Sequence, residues 1–138
     1  MSNADLMIAA ARDAIGTPFR HQGRTVGQGI DCAGLMVHSV KATGRPVADQ
    51  ANYSRRAGGA MLEAALDAQP SLTRVYAGPL QAADIVLIKF EGDPCHLALF
   101  TGNSIIHAWA VARKVCEHDF TPEWQGYVVR AYRVNEDG

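Results

Sequence analysis

The 138-residue chain lacks the features that mark several protein classes. No segment approaches the roughly 18 consecutive apolar residues that span a bilayer. The formal net charge is −1 and no block of like charge occurs, which argues against nucleic acid or a membrane surface as partner. Residues 1–12 have no basic region, and Asp5 precedes their short apolar run, so we expect no signal peptide and a chain that is cytoplasmic as synthesised.

Cysteine is also scarce, with three residues in the chain. An odd number without a secretion signal argues against a disulfide framework. No paired C-x-x-C occurs, and adjacent residues in a strand point to opposite faces, so Cys95 and His96 are poorly placed to share a metal. We expect no metal and no cofactor. A zinc site stays open as an alternative, drawn from Cys95, His96, His107, Cys116 and His118.

The length predicts a single domain over residues 1–138, and the order of elements predicts an α+β fold. Ser2 and Asp5 form a capping-box start, and a helix with Leu6, Ala9, Ala10 and Ile15 on its apolar face follows until Gly16. Residues 16–30 are predicted to be a loop. Asp31 is the predicted N-cap of a second helix that ends at Gly44. A third predicted helix is Ala60–Ala68, and the predicted strands are Ile85–Phe90, His96–Thr101, Ser104–Trp109, Val111–His118 and Gly126–Val134.

Cys32 stands at the start of the second predicted helix, which makes it a candidate nucleophile. Unpaired backbone N–H groups and the helix dipole stabilise a thiolate there, so we expect a lowered pKa for this thiol. The same N–H groups can hold the oxyanion of a tetrahedral intermediate. We expect Gly27 and Gly29, just before the helix, to let a substrate backbone come close.

Two histidines are predicted to meet in the hairpin that follows. With Gly102-Asn103 as the two-residue loop, Ala98 lies opposite His107, and His96 becomes the diagonal neighbour of His107 on the same face. This register predicts a Cys–His–His relay in which His96 is the base for Cys32. His107 would then accept a hydrogen bond from the other ring nitrogen of His96 and fix its tautomer.

Five segments, in order, resemble the NlpC-type cell-wall cysteine peptidases, which are papain-like enzymes. They are Gly16-Thr-Pro-Phe19, Gly29-Ile-Asp-Cys-Ala-Gly-Leu35, Leu80-Gln-Ala-Ala-Asp-Ile-Val86, His96-Leu-Ala-Leu-Phe-Thr-Gly102 and Ile106-His-Ala108. The resemblance implies a papain-like α+β fold, with a helical lobe packed on a mostly antiparallel sheet. It also implies Cys32, His96 and His107 as nucleophile, base and orienting residue.

The same resemblance implies the substrate, namely the γ-D-glutamyl–diamino acid bond of peptidoglycan stem peptides. Asp31, Phe19, His21, Ala33 and Trp109 are the candidate substrate-binding residues. Ala33 replaces the family's usual Ser, which in some members acts with the preceding Asp to bind a free N-terminal amine. Phe19 replaces a Tyr, so a second hydroxyl is missing near the site.

Segment His21-Gln-Gly-Arg24 and the unadorned length are similar to the versions found in phage tail genes. That similarity implies phage tail or secretion assembly proteins as partners, and action in the periplasm or cell wall. Two alternatives stay open beside the peptidase. One is an amidase or acyltransferase with the same triad, and the other is an inactive phage-tail or binding module.

Overall fold

The computed structural model describes residues 1–49, 59–90 and 95–136. Its helices are α1 (Asn3–Asp13), α2 (Cys32–Lys41), α3 (Gly59–Asp67) and α4 (Pro122–Gln125). Its strands are β1 (Arg24–Thr25), β2 (Gly29–Ile30), β3 (Leu72–Arg74), β4 (Ile85–Lys89), β5 (Cys95–Phe100), β6 (Ser104–Trp109), β7 (Lys114–Asp119) and β8 (Val128–Val134).

The first helix begins as predicted but ends early and buries a different face. The hydroxyl of Ser2 accepts the backbone N–H of Asp5, and the Asp5 carboxylate accepts that of Ser2. The helix stops at Asp13, and Ile15, which was expected on its apolar face, is exposed. Its buried side chains are Met7, Ala10 and Ala11. The two alanines are small and let the helix pack closely against its neighbours.

The second helix follows the prediction closely. Asp31 is its N-cap, and the Asp31 carboxylate accepts the backbone N–H of Gly34 at 2.8 Å. Leu35, Met36 and Val40 are buried, as the apolar spacing indicated. This helix therefore holds Cys32, its first residue, at a fixed position against the sheet.

The six-stranded sheet has the order β3-β8-β4-β5-β6-β7 and is antiparallel throughout. The hairpin register is confirmed: Phe100 pairs with Ile105 and Leu99 with Ile106. Sequence patterns missed the small β1–β2 hairpin within the predicted loop, and they also missed β3 and α4. These elements are two to four residues long, too short to show a period.

The sheet is buried on both faces. One face packs against the helices through residues such as Leu97, Leu99 and Ile106. The other face carries Ala98, Phe100 and Ile105 and is covered by side chains that include Phe90, Phe120 and Trp124. The fold is thus α+β with helices against an antiparallel sheet, as the sequence predicted. Within the described ranges, no helix is long and apolar enough to cross a membrane.

Candidate active site

Cys32 lies where the start of α2 meets the start of β5. Its side chain packs against the core between helices and sheet and is half-buried. The backbone N–H groups of Ala33 and Leu97 lie close enough to the thiol to favour its thiolate form. Beneath it is an apolar cavity of about 10 Å³, too small for a substrate, lined by residues that include Leu35, Met36 and Leu99.

The electrostatic expectation for Cys32 was wrong in direction. Burial, and to a smaller extent the neighbouring Asp31 carboxylate, raise the pKa of the thiol to about 12. The nearby backbone N–H groups lower it, but desolvation outweighs them. Cys32 is therefore a neutral thiol at pH 7 and needs a base to remove its proton.

His96 and His107 meet as the hairpin register predicted. Nε2 of His96 lies 2.6 Å from Nδ1 of His107, within hydrogen-bond distance. His107 is fully buried and His96 is 9% exposed. Burial lowers the pKa of His96 to about 4 and that of His107 to about 2, so both rings are neutral at pH 7. A neutral His96 is in the right state to accept a proton.

The Cys32 thiol lies close to the backbone N–H of Leu97, the residue that follows His96 in β5. The core that Cys32 touches contains Leu97 and Leu99, whereas the His96 ring lies beside Phe90 and His107 on the other face. Within the part of the chain that the structure describes, no hydrogen bond joins the Cys32 thiol to an imidazole. His96 is the second residue of its strand, so its backbone lies beside the start of α2, where Leu97 meets Cys32.

His118 extends the pair into a chain of three imidazoles, and sequence reasoning missed this role. Nε2 of His118 lies 2.8 Å from Nε2 of His107, and its Nδ1 lies 3.0 Å from the backbone oxygen of Asp119. His107 pairs directly with Cys116 across β6 and β7, which makes His118 its diagonal neighbour. The 11-residue spacing from His96 to His107 to His118 was the available signal, but the turn before β7 carries no short hairpin motif that would set this register.

An aromatic cover shields this chain of histidines. Trp124, from the unpredicted α4, packs its ring 4.8 Å from the His118 ring and 5.3 Å from the His107 ring. Trp109, a predicted substrate-binding residue, stacks on His107 at 5.3 Å and an interplanar angle of 24°. Phe90 closes the side next to His96. Because these rings exclude water, the imidazoles of His96 and His107 are held neutral.

The remaining predicted site residues lie in the segment that leads into α2. Phe19 is half-buried against the main core and makes a parallel bridge to Ile30. His21 is half-buried in the following turn. The Asp31 carboxylate is buried and accepts hydrogen bonds from the backbone N–H of Gln22 and from Arg24. Ala33 is half-buried beside the thiol.

The expected role of Gly29 is wrong. A Cβ on Gly29 would lie 2.7 Å from Cβ of Arg20, so this glycine makes room for the Arg20 side chain rather than for a substrate. Gly27 is exposed and has φ +86°, a backbone conformation that favours glycine. It therefore serves the turn between β1 and β2.

No group of three or more His, Cys, Asp or Glu side chains is arranged to hold a metal ion among the residues the structure describes. The side chain of Cys95 lies outside the described residues. The imidazole nitrogens of the chain are closer together than two zinc ligands are, since Zn–N bonds of about 2.0–2.1 Å at tetrahedral angles separate nitrogens by more than 3 Å.

The arrangement is papain-like: a cysteine begins a helix that packs on an antiparallel sheet carrying histidines. Residues 16–133 match the model of the NlpC/P60 family. The chain belongs to this family, which includes peptidoglycan hydrolases. No curated protein matches the chain.

Solved structures share the fold at low identity. The NlpC/P60 domain of the peptidoglycan hydrolase SagA is 22% identical with a TM-score of 0.62, and the match covers 98% of this chain and all of that domain. A Bacillus cereus family protein is also 22% identical with a TM-score of 0.66; the match covers 95% of this chain but 40% of that protein. RipD of Mycobacterium tuberculosis, described as a non-catalytic domain adapted to peptidoglycan binding, is 17% identical with a TM-score of 0.62, each chain being 98% covered.

Proposed function

We propose that the protein is a cysteine peptidase, acting as a single domain, that hydrolyses an amide bond of peptidoglycan stem peptides. Cys32 is the nucleophile, His96 the general base, and His107 the residue that orients His96. The observation that carries this proposal is the 2.6 Å contact between buried, neutral His96 and His107, in the strand whose Leu97 backbone N–H lies close to Cys32.

The first half of the reaction acylates Cys32. His96 takes the thiol proton through Nδ1 while the sulfur attacks the substrate carbonyl carbon. Backbone N–H groups at the start of α2 stabilise the oxyanion. The C–N bond then breaks, and the proton on His96 passes to the leaving amine. Both partners begin neutral, so the proton moves during the attack rather than before it.

The second half releases the product. His96, neutral again, removes a proton from water as the water attacks the thioester; the bond between the acyl carbon and the Cys32 sulfur breaks, and the proton on His96 returns to the sulfur. The scheme needs no metal and no organic cofactor. The substrate must bring Cys32 and His96 into contact, which is consistent with catalytic hydrogen bonds that tighten only when a substrate binds.

The proposed substrate bond is γ-D-glutamyl–diamino acid. The family and the SagA domain, described as part of a peptidoglycan hydrolase, support the peptidoglycan part of this proposal. Ala33 and Phe19 lack the hydroxyls that the family carries, and the Asp31 carboxylate already binds Arg24 at 3.0 Å. We therefore expect weaker dependence on a free N-terminal amine than in relatives that carry those hydroxyls.

A peptidoglycan-binding module without catalysis is the second candidate. The raised pKa of Cys32 favours it, and RipD shows that this fold also occurs in a protein described as non-catalytic. An amidase with the same triad would differ only in the amide bond that it cleaves, and an acyltransferase only in the molecule that accepts the acyl group from Cys32. Placement in a phage tail or a secretion assembly, as the segment 21–24 suggests, is part of the same proposal.

Digestion of purified muropeptides tests the proposal. The wild type and a Cys116→Ala control should release fragments cut at the γ-D-glutamyl bond, and Cys32→Ala should release none. Mass spectrometry of the products identifies the bond and separates peptidase from amidase. Identical products from wild type and Cys32→Ala would reject the proposal. Retention of the muropeptides without cleavage would support the binding module.

The His107→Ala variant tests the orienting role. His107 does not react itself, so we expect a lower kcat with measurable residual activity. Steady-state kinetics on the same muropeptide measures this. Full activity in His107→Ala would mean that the pair does not act as described.

A further inference from the structure

The three histidines form one hydrogen-bonded chain with a defined end. His96, His107 and His118 lie on three adjacent strands, β5, β6 and β7, and each is the diagonal neighbour of the next. Their facing nitrogens are 2.6 and 2.8 Å apart. Beyond His118, the backbone oxygen of Asp119 closes the chain at 3.0 Å from Nδ1.

The closing carbonyl determines which nitrogen carries the proton in His118. A carbonyl oxygen can only accept, so Nδ1 of His118 carries the proton and donates it. When His118 is neutral, its other nitrogen, Nε2, is an acceptor. Nε2 of His107 must therefore carry a proton and donate to it.

The same reasoning passes along the chain to the base. With its proton on Nε2, neutral His107 accepts at Nδ1, so Nε2 of His96 donates to it. Neutral His96 then has no proton on Nδ1. This is the nitrogen with a lone pair, and the general base for Cys32 needs that lone pair.

We propose that His118 is a positioning residue, which sets the tautomer of His96 through His107 and keeps Nδ1 of His96 bare for the Cys32 proton. The catalytic role of His118 rests on the proposed function, whereas the assignment of the tautomers does not depend on it. A side chain at 118 that accepts a hydrogen bond from His107 maintains this order. A side chain that cannot accept leaves His107 free to hold its proton on either nitrogen.

Burial makes the chain act as a unit. His107 is fully buried between the other two rings, and Trp124 packs against both His107 and His118. Water is therefore a poor substitute partner for His107 Nε2, and the ring depends on the acceptor that His118 provides. An unpaired buried donor at this point would be costly, which gives the wild-type tautomer its preference.

Nitrogen-15 NMR of protein labelled at its histidines tests the proposal without any substrate, because a ring nitrogen that carries a proton is well separated in shift from one that does not. For wild type at neutral pH, we expect the proton on Nε2 in His96 and His107 and on Nδ1 in His118. His118→Gln keeps an acceptor oxygen for His107 and should leave both other tautomers unchanged. His118→Phe keeps the aromatic packing but no acceptor, and it should shift His96 and His107 toward tautomer mixtures.

His38→Gln is the matched control. His38 is half-buried and bonds the backbone oxygen of Ala10 through Nε2 in another part of the fold. Its replacement should leave the tautomers of His96 and His107 unchanged. The proposal is overturned if wild-type His96 carries its proton on Nδ1, or if folded His118→Phe retains the wild-type tautomers.

Kinetics on the muropeptide then connects the tautomer to catalysis. We expect His118→Phe to lower kcat by about tenfold, the effect of one lost hydrogen bond, with KM unchanged, and His118→Gln to restore it. Equal kcat in His118→Phe and wild type would overturn the catalytic role. If wild type shows no cleavage, the proposed function fails, and the NMR result still decides the tautomer assignment.

Discussion

Acidification should destabilise the protein because two histidines are buried in neutral form. An unfolded histidine has a pKa near 6.5, whereas in the folded chain burial lowers the pKa of His96 to about 4. Between these values the unfolded state binds more protons than the folded state, so stability falls as pH falls. From pH 7 to pH 5, His96 alone accounts for a loss of about 2 kcal/mol.

His107 adds to this loss. Its folded pKa is about 2, so at pH 5 it contributes a further loss of about 2 kcal/mol, and the pair accounts for about 4 kcal/mol. Urea denaturation at pH 7, 6 and 5 measures the free energy of unfolding. The double variant His96→Gln/His107→Gln should lose most of this pH dependence, and His38→Gln should retain it. Equal pH slopes for wild type and the double variant would refute the reasoning.

Two further predictions concern stability. Gly34→Ala should destabilise the protein by about 1–2 kcal/mol in urea denaturation, although alanine favours helices, because its Cβ would clash with the backbone oxygen of Gly23. A gain in stability would contradict this packing. Arg133→Met should cost about 3–5 kcal/mol, since it leaves the fully buried carboxylate of Asp84 without its ion-pair partner. Asp84→Asn should cost about 1–2 kcal/mol, because the Arg133 side chain is 32% exposed and can be hydrated. A larger loss of stability in Asp84→Asn than in Arg133→Met would contradict this difference in burial.

Sequence patterns predicted the positions of the main site residues because these positions follow from short-range rules. Asp31 as N-cap and Gly102-Asn103 as hairpin loop each follow from local chemistry, and together they fix where Cys32, His96 and His107 stand. The contact between the two histidines follows from one register and needs no tertiary information.

Properties that depend on tertiary burial could not be predicted in this way. The helix start suggested a lowered pKa for Cys32, but desolvation by the core around it reverses the direction. His118 was missed because its register depends on a turn with no short motif, and α4, which places Trp124 over it, is four residues long. Gly29 was misjudged because its partner, Arg20, approaches from outside the local pattern.

Selective alkylation of Cys32 tests the central claim most directly. In a Cys95→Ala/Cys116→Ala background, iodoacetamide can modify only Cys32, and peptide mapping gives the modified fraction. With a thiol pKa of about 12, we expect the labelling rate to rise about tenfold per pH unit between pH 7 and 10. Muropeptide cleavage, measured after return to neutral pH, should fall in proportion to the modified fraction. Undiminished cleavage by fully alkylated protein would contradict the account.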